Sequence, residues 1–316
     1  MTWAKVMLGR MALSLLSLVL LSIIVFLVVQ VMPGDVGRRI LGPLADQRSV
    51  DALNESLGVN RPLLVQYSDW AGHFVRGDLG TSYVYREPVG PFVARALGNS
   101  ALLALFGLTI ALFASVPLGL LAARSQDGWS GGAIRIAAVV ATAIPEFVIG
   151  VVLLIIFGVM LGIFPTSAQV SDNASFINRI WALVLPATTV SLALSGYLIR
   201  MIRAGAREVY LSDHVRYART LGSSETDILL RNVLRNSIVP VIPVIATQVG
   251  YLIGSLTVVE LLFNYDGIGL LILKASQKLD LPIMMSSVLM SGVVFMASIL
   301  IGDALVHGLD PRRRLR

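Results

Sequence analysis

Six stretches of this chain are apolar over about 20 residues or more, the length a helix needs to cross the hydrocarbon core of a bilayer. They lie near 9–32, 98–123, 133–163, 181–202, 238–263 and 283–307. The first carries no charge after Arg10. It is longer than a signal-peptide core of about 7–15 residues and is followed by no small-x-small cleavage site, so it reads as a retained span. Composition agrees: 56% of residues are hydrophobic and 14% charged, with a mean hydropathy of +0.80, against about 25% charged in an average soluble domain. These values exclude a disordered or collagen-like chain and an ordinary soluble enzyme. The expected fold is an all-α integral membrane protein with six transmembrane helices.

Lysine and arginine positions orient the spans. With a cytoplasmic N-terminus, fifteen of the 25 basic residues fall inside, and three (Arg179, Lys274, Lys278) fall in the two short outside loops. The other seven sit in the long segment 33–96, a poor reporter of topology. The bias places both termini in the cytoplasm. Segment 33–96 balances seven arginines with seven acids and contains Tyr67, Trp70, Phe74, Tyr83 and Tyr85. Balanced charge with core-type aromatics predicts a small ordered cap between the first two spans. The net charge of +6 reads as this inside bias and not as nucleic-acid binding.

Several chemistries are missing. There is no cysteine, and His73, His214 and His307 share no ligand spacing, so no thiolate metal site, iron–sulfur cluster or zinc site is expected. No lysine follows a glycine, which excludes a phosphate-binding P-loop. No G-x-S-x-G elbow is present either. Energy for active transport would come from a partner or an ion gradient.

The cytoplasmic segment 206–240 carries the most information. Ser212 or Asp213 is a plausible N-cap and Gly222 a stop, which predicts a short helix between them. Val215 and Ala218 share a side, with Leu221 or Gly222 beside them and Arg216 and Arg219 flanking. Ser224-x-x-Asp227 fits a capping box opening a second helix, and Ile228, Leu229, Val233, Leu234 and Ile238 keep helical spacing. On pattern alone this segment is either a surface helix beside anionic lipid or a docking element.

The stretch Asp213, His214, Val215, Arg216, Tyr217, Ala218, Arg219, Thr220, Leu221, Gly222, with Pro240 eighteen residues on, resembles the coupling-helix loop of ABC importer permeases. It is most similar to the B-type permease of the oligopeptide, dipeptide and nickel uptake family. Arg216 and Tyr217 stand where the general pattern has Glu and Ala; Ala218 and Gly222 match. Met32-Pro-Gly-Asp35, Leu57 to Leu63, Arg76 to Ser82, Phe164 to Ser167, Leu185-Pro-Ala187, Val259-Glu260 with Gly267 and Gly269, and Leu309 to Arg312 follow in family order across nearly the whole chain.

The resemblance implies a type I importer permease with a periplasmic cap, in a bacterial inner membrane. Its regions would be 1–32 (N-terminus and first helix), 33–97 (cap), 98–307 (five-helix core with a coupling loop near 203–237) and 308–316 (basic tail). Its partners would be a homologous second permease, two cytoplasmic ATPases, an extracytoplasmic solute-binding protein and membrane lipid. ATP and Mg would sit on the ATPases and no cofactor on this chain. The ten residues 213–222 would dock the ATPase.

Glu146, after Pro145 in the third span, is costly in lipid. It reads either as a carboxylate lining the path, attractive to a cation such as a peptide amine, or as a structural partner for a helix end. Gln248 is a second candidate for the path, or an interhelical hydrogen-bonding group. Gly158-x-x-x-Gly162 and Gly250-x-x-x-Gly254 are packing motifs. A self-sufficient secondary transporter or channel is the alternative; it would show repeats or several intramembrane acids, and only Glu146 is deep.

Overall fold

The computed structural model describes residues 3–31, 35–58, 60–125, 128–171, 173–238 and 241–309. The motif residues Met32–Gly34, Pro240 and the tail from 310 on lie outside the described residues. Among the described residues there is no strand, only an isolated bridge between Thr81 and Pro88. Contacts divide the chain into two compact units, Met1–Ser100 with Asp266–Met296, and Ala101–Tyr265 with Ala297–Arg316.

In the first unit, α1 (Trp3–Val31) is apolar all round, as expected of a helix meeting lipid or other helices on every side. Gly292 of α15 (Leu281–Leu309) lies against it: a Cβ there would come 2.5 Å from Leu21. The segment after α1 folds into α2 (Val36–Leu41), α3 (Gln47–Ser56) and α4 (Leu63–Val75). Asp35 caps α2 by accepting from the Arg38 N–H at 3.0 Å. The buried Asn54 of α3 ties this turn down. It accepts from the Gly37 N–H at 2.8 Å and donates to both Asp35 oxygens. These bonds, the Arg38 N–H foremost and Asn54 next, hold the Asp35 carboxyl below the usual carboxylate range.

Aromatics anchor α4 to the end of α1. Phe26 meets Tyr67 edge-on at 5.5 Å and Trp70 at 6.0 Å, and the Ser22 and Tyr67 hydroxyls are 2.8 Å apart. Val25, Val29, Leu281 and Met285 complete this cluster.

The second anchor is Asp280, the buried residue before α15. Its carboxylate accepts from the Ser82 hydroxyl at 2.5 Å and from the Tyr83 and Val84 N–H groups at 3.3 Å. Ser286 donates to the Leu79 carbonyl, and Lys278 lies 4.9 Å from the centre of the Tyr85 ring. Loop 79–85 is thereby fixed to the start of α15.

The second unit is organised on α8 (Phe176–Tyr210). Ala187, Val190, Leu194, Leu198, Ile202 and Ala206 recur every three or four residues and are all buried. Glycines let neighbours approach closely. A Cβ on Gly196 would fall 2.5 Å from the Ala138 carbonyl, and one on Gly119 would fall 2.8 Å from Ile202. Gly119 belongs to α5 (Val89–Arg124).

Among the described residues, four uninterrupted helices are long and apolar enough to span a membrane: α1, α5, α8 and α15. The expected span 133–163 is instead a broken pair, α6 (Trp129–Ala143) and α7 (Glu146–Leu153), the latter running on as a π-helical stretch, Leu154–Met160. The two halves meet at 103°. Pro145 supplies no N–H and pushes Ile144 into extended backbone (φ −81°, ψ 128°), which ends α6.

Beyond α8 come α9 (Asp213–Thr220), α10 (Glu225–Asp227), a π-helical stretch (Ile228–Leu234) and α11 (Arg235–Ile238). The stretch expected as the span 238–263 is occupied by pieces: the end of α11, then α12 (Ile242–Ser255) and α13 (Thr257–Leu262). Pro243 occupies the first turn of α12, where a missing N–H costs nothing. The remaining helix is α14 (Ile268–Gln277).

Asp280→Ala is expected to destabilise the protein by on the order of 3 kcal/mol, because it removes the acceptor shared by the Ser82 hydroxyl and the Tyr83, Val84 and Ile283 N–H groups. Asp280→Asn should lose less. The readout is the thermal midpoint in detergent together with proteolysis at residues 81–86; an unchanged midpoint and unchanged cleavage would refute the anchoring role.

Candidate functional site

Two places in the second unit gather the residues singled out in the sequence. The first is the segment after α8. Ser212 occupies the N-cap position of α9 without a side-chain capping bond. The helix ends at Gly222, which has φ +81°. The Ser223 N–H donates to the Ala218 carbonyl at 3.1 Å and the Gly222 N–H to the Arg219 carbonyl at 3.0 Å. This is a complete Schellman stop, which requires a left-handed residue at that position. Ser224 then caps α10, accepting from the Asp227 N–H at 3.2 Å and donating to the Asp227 carboxylate at 2.9 Å.

Val215 is fully buried and packs with Ala206, Tyr210, Ile228 and Val233 in the core of this unit; Ala218 is half-buried against the same cluster. The side expected to hold Val215 and Ala218 with Leu221 or Gly222 is therefore split. Val215 and Ala218 face the chain's own core, while Leu221 and Tyr217, 67% and 65% exposed, form an outward apolar pair at i and i+4 spacing. Asp213, His214, Arg216, Arg219, Thr220 and Gly222 are also exposed.

Arg219 bridges the turn to Glu225, with Nε to Oε1 at 2.8 Å. That hydrogen bond is the main reason the Glu225 carboxyl sits below its ordinary range and the Arg219 guanidinium above its own. Arg216 with Asp213, and Arg231 with Asp227, are looser pairs at 3.9 and 3.5 Å.

The second place is a cavity of about 300 Å3 bounded by the α6–α7 break, α8 and α12. Glu146 and Gln248, more than a hundred residues apart, both line it. Thr142, Tyr197 and Ser255 join them, and these three escaped the sequence reading because lone hydroxyls in apolar spans carry no spacing signal. The Oε1 atom of Glu146 is buried and has no hydrogen-bond partner among the described residues.

A larger cavity, about 850 Å3, lies among the helices of the first unit. Several of the polar groups bordering it are paired locally. Arg61 pairs with Asp69 at 3.3 Å, Asp35 with Asn54, and Asp78 accepts from the Gly80 N–H. The smaller cavity, with its unpartnered carboxyl oxygen, is the better candidate for chemistry.

Residues 115–315 match the family model described as the binding-protein-dependent transport system inner membrane component, and residues 3–104 match the model of the N-terminal part of such membrane components. The chain belongs to this family. It is 32% identical to an oligopeptide transport system permease of Bacillus subtilis over 98% of this chain and 99% of that one. It is also 32% identical to a glutathione transport system permease of Salmonella choleraesuis over 95% of each. A solved chain of an amino acid ABC transporter aligns at 16% identity with a TM-score of 0.48, over 70% of this chain and 94% of that one, too distant to add to the assignment. As a family member, the chain is a multi-pass inner-membrane permease component of a binding-protein-dependent importer.

Because the Arg219–Glu225 pair is exposed, it contributes less than about 1 kcal/mol. A depressed carboxyl adds stability above the ordinary glutamate value of roughly 4.3, and that stability is lost as pH falls through the lower folded value. Glu225→Gln should speed amide exchange at residues 221–224 at neutral pH relative to wild type. The two proteins should converge under acid; a difference that persists there would show that the carboxylate is not the cause.

Proposed function

We propose that this chain is the non-catalytic translocation subunit of an ATP-driven importer. It pairs with a homologous second permease, two cytoplasmic ATPases that carry ATP and Mg, and an extracytoplasmic binding protein. Both termini lie in the cytoplasm, as the fifteen-to-three distribution of basic residues favours. The solute is a peptide or a related small molecule, by likeness to relatives named for oligopeptide and glutathione transport. It moves by alternating access between the two permeases, through a path to which Glu146 and Gln248 contribute.

The observation that carries the reading is the construction of residues 213–222. Buried Val215 locks a short helix to the foot of α8, a Schellman stop at Gly222 ends it, and an exposed aromatic–aliphatic pair, Tyr217 and Leu221, faces outward. A helix held rigidly from behind with an apolar pair in front suits docking into a partner's groove. Residues 213–222 are the ATPase-docking element in this reading, with Val215 and Ala218 as its root and Tyr217 and Leu221 as its face.

Purification from native membranes in mild detergent should recover a second permease and P-loop ATPases with this chain. Recovery of the chain alone, even after crosslinking through 213–222, would overturn the proposal in favour of a self-sufficient carrier.

Gly222→Val tests the helix itself. Nothing lies within 4 Å of the position a Cβ would occupy, so the effect is conformational, about 1–2 kcal/mol for a left-handed residue. Insertion should be unchanged while ATP hydrolysis becomes uncoupled from uptake. Normal uptake by this variant would count against the docking role.

A further inference from the structure

The cavity beside the α6–α7 break has a charge deficit that the described residues leave unfilled. Glu146 is the one acid among its lining residues, and no lysine, arginine or histidine lines it. Two of the three hydroxyls that line the cavity are engaged within their own helices. Thr142 donates to the Val139 and Ala138 carbonyls at 2.9 and 3.2 Å, and Ser255 to the Leu252 carbonyl at 3.3 Å. The remaining wall is largely aliphatic, from Ile144, Leu194 and Leu252.

A carboxylate removed from water without donors or a cation is strongly disfavoured. An ionisable side chain kept at such a place within a membrane marks a solute or ion route, with its partner arriving from elsewhere. No cluster of three or more candidate metal ligands exists among the described residues, and the single carboxyl of Glu146 matches one unit of positive charge. The volume, about 300 Å3, is at the small end of ligand pockets. It suits one end of a solute, and the aliphatic wall suits a stem of a few carbons.

We infer that this cavity is the subsite for the cationic end of the transported solute: a protonated primary amine on a short apolar stem, as at the N-terminus of a peptide, with Glu146 as its counter-ion. The inference rests on the permease reading above and specifies what its path selects. Glu146 supplies the charge, Tyr197 and Gln248 bring polar tips to the same cavity, and the break at Pro145 puts the carboxylate at the start of α7, where a continuous helix would have carried it along its side.

The 316 residues include no cysteine, so Ser255→Cys introduces a single thiol among them, on the cavity that Glu146 also lines. In membranes containing the complete complex, this thiol is reacted with a cationic and an anionic methanethiosulfonate of equal length (aminoethyl and sulfonatoethyl). Each rate is divided by that reagent's rate with a free thiol in solution, so the ratio of the two cancels the reactivity of the cysteine itself. With Glu146 in place the ratio should favour the cation by about tenfold or more, since a unit charge a few ångströms away at intermediate dielectric is worth at least that. Adding Glu146→Gln should collapse it to within about threefold, and Glu146→Asp should keep most of it.

A ratio near one with Glu146 present, a ratio unmoved by Glu146→Gln, or a thiol that neither reagent reaches during turnover would each overturn the inference. Co-purification of the ATPases with each variant checks assembly. Loss of the importer reading would show there, as a chain recovered alone, with the labelling ratio still reporting on the cavity.

Discussion

Backbone N–H and C=O groups inside hydrocarbon find no water, so irregular backbone is tolerated at membrane depth only where protein shelters it or where it borders a wet cavity. The break at Ile144–Pro145 has to satisfy that condition, and much of the second unit is arranged so that it does. Gly196 lets α8 come against the end of α6, with Ala138, Ala141 and Thr142 all within contact of where a Cβ would be. Gly150, one turn into α7, similarly admits Leu262 and Thr189. Small residues on both sides of the break thus allow helices to close over it, and the space they leave is the cavity that receives Glu146. Packing and polarity have one cause here: the proline that opens the backbone also creates the only lining of that cavity by a charged side chain among the described residues.

The first unit solves a different problem. Its loops are polar and balanced in charge, and they need fixed points. Two suffice: the aromatic cluster of Phe26, Tyr67 and Trp70, and the carboxylate of Asp280. The first joins α4 to α1 by apolar area. The second works by direction, since one buried acceptor facing a hydroxyl and two successive N–H groups specifies a loop conformation far more narrowly than burial alone.

How much of this was legible depended on the range of the interaction. Four of the six expected spans are continuous apolar helices among the described residues, legible because lipid imposes a length rule on consecutive residues. The stop at Gly222 and the cap at Ser224 could be read because such motifs close within about six residues. Pro145 announced a break but not its angle, which depends on what packs across it. The facing of α9 was only half legible: Val215 and Ala218 share a side, yet whether that side meets the chain's own core or a partner is decided by Ile228 and Val233, which arrive after another turn. The join of Ser82 to Asp280 spans 198 positions and leaves no local pattern. The same holds for Glu146 and Gln248, each recognisable as unusual in an apolar helix but brought to one cavity only by the tertiary arrangement of α7, α8 and α12.

That packing gives α8 a double role. It lines the cavity with Tyr197 and ends at Tyr210, three residues before α9 begins. Those tyrosines are thirteen positions apart, about 20 Å of helix at 1.5 Å per residue. The helix is continuous over that distance and buried along one face at Leu198, Ile199, Ile202 and Ala206. Val215 joins α9 to the foot of the same helix. Under the proposed function, a displacement imposed on α9 by an ATPase would reach the wall of the cavity along one continuous helix. Coupling claims need a physical element whose position both sites bias, and under the proposed function α8 is the candidate: its foot adjoins the proposed docking helix, and its middle lines the cavity that holds Glu146. A counter-ion that binds its cation in one position of α8 and exposes it to water in another would let go of the solute without changing its own charge.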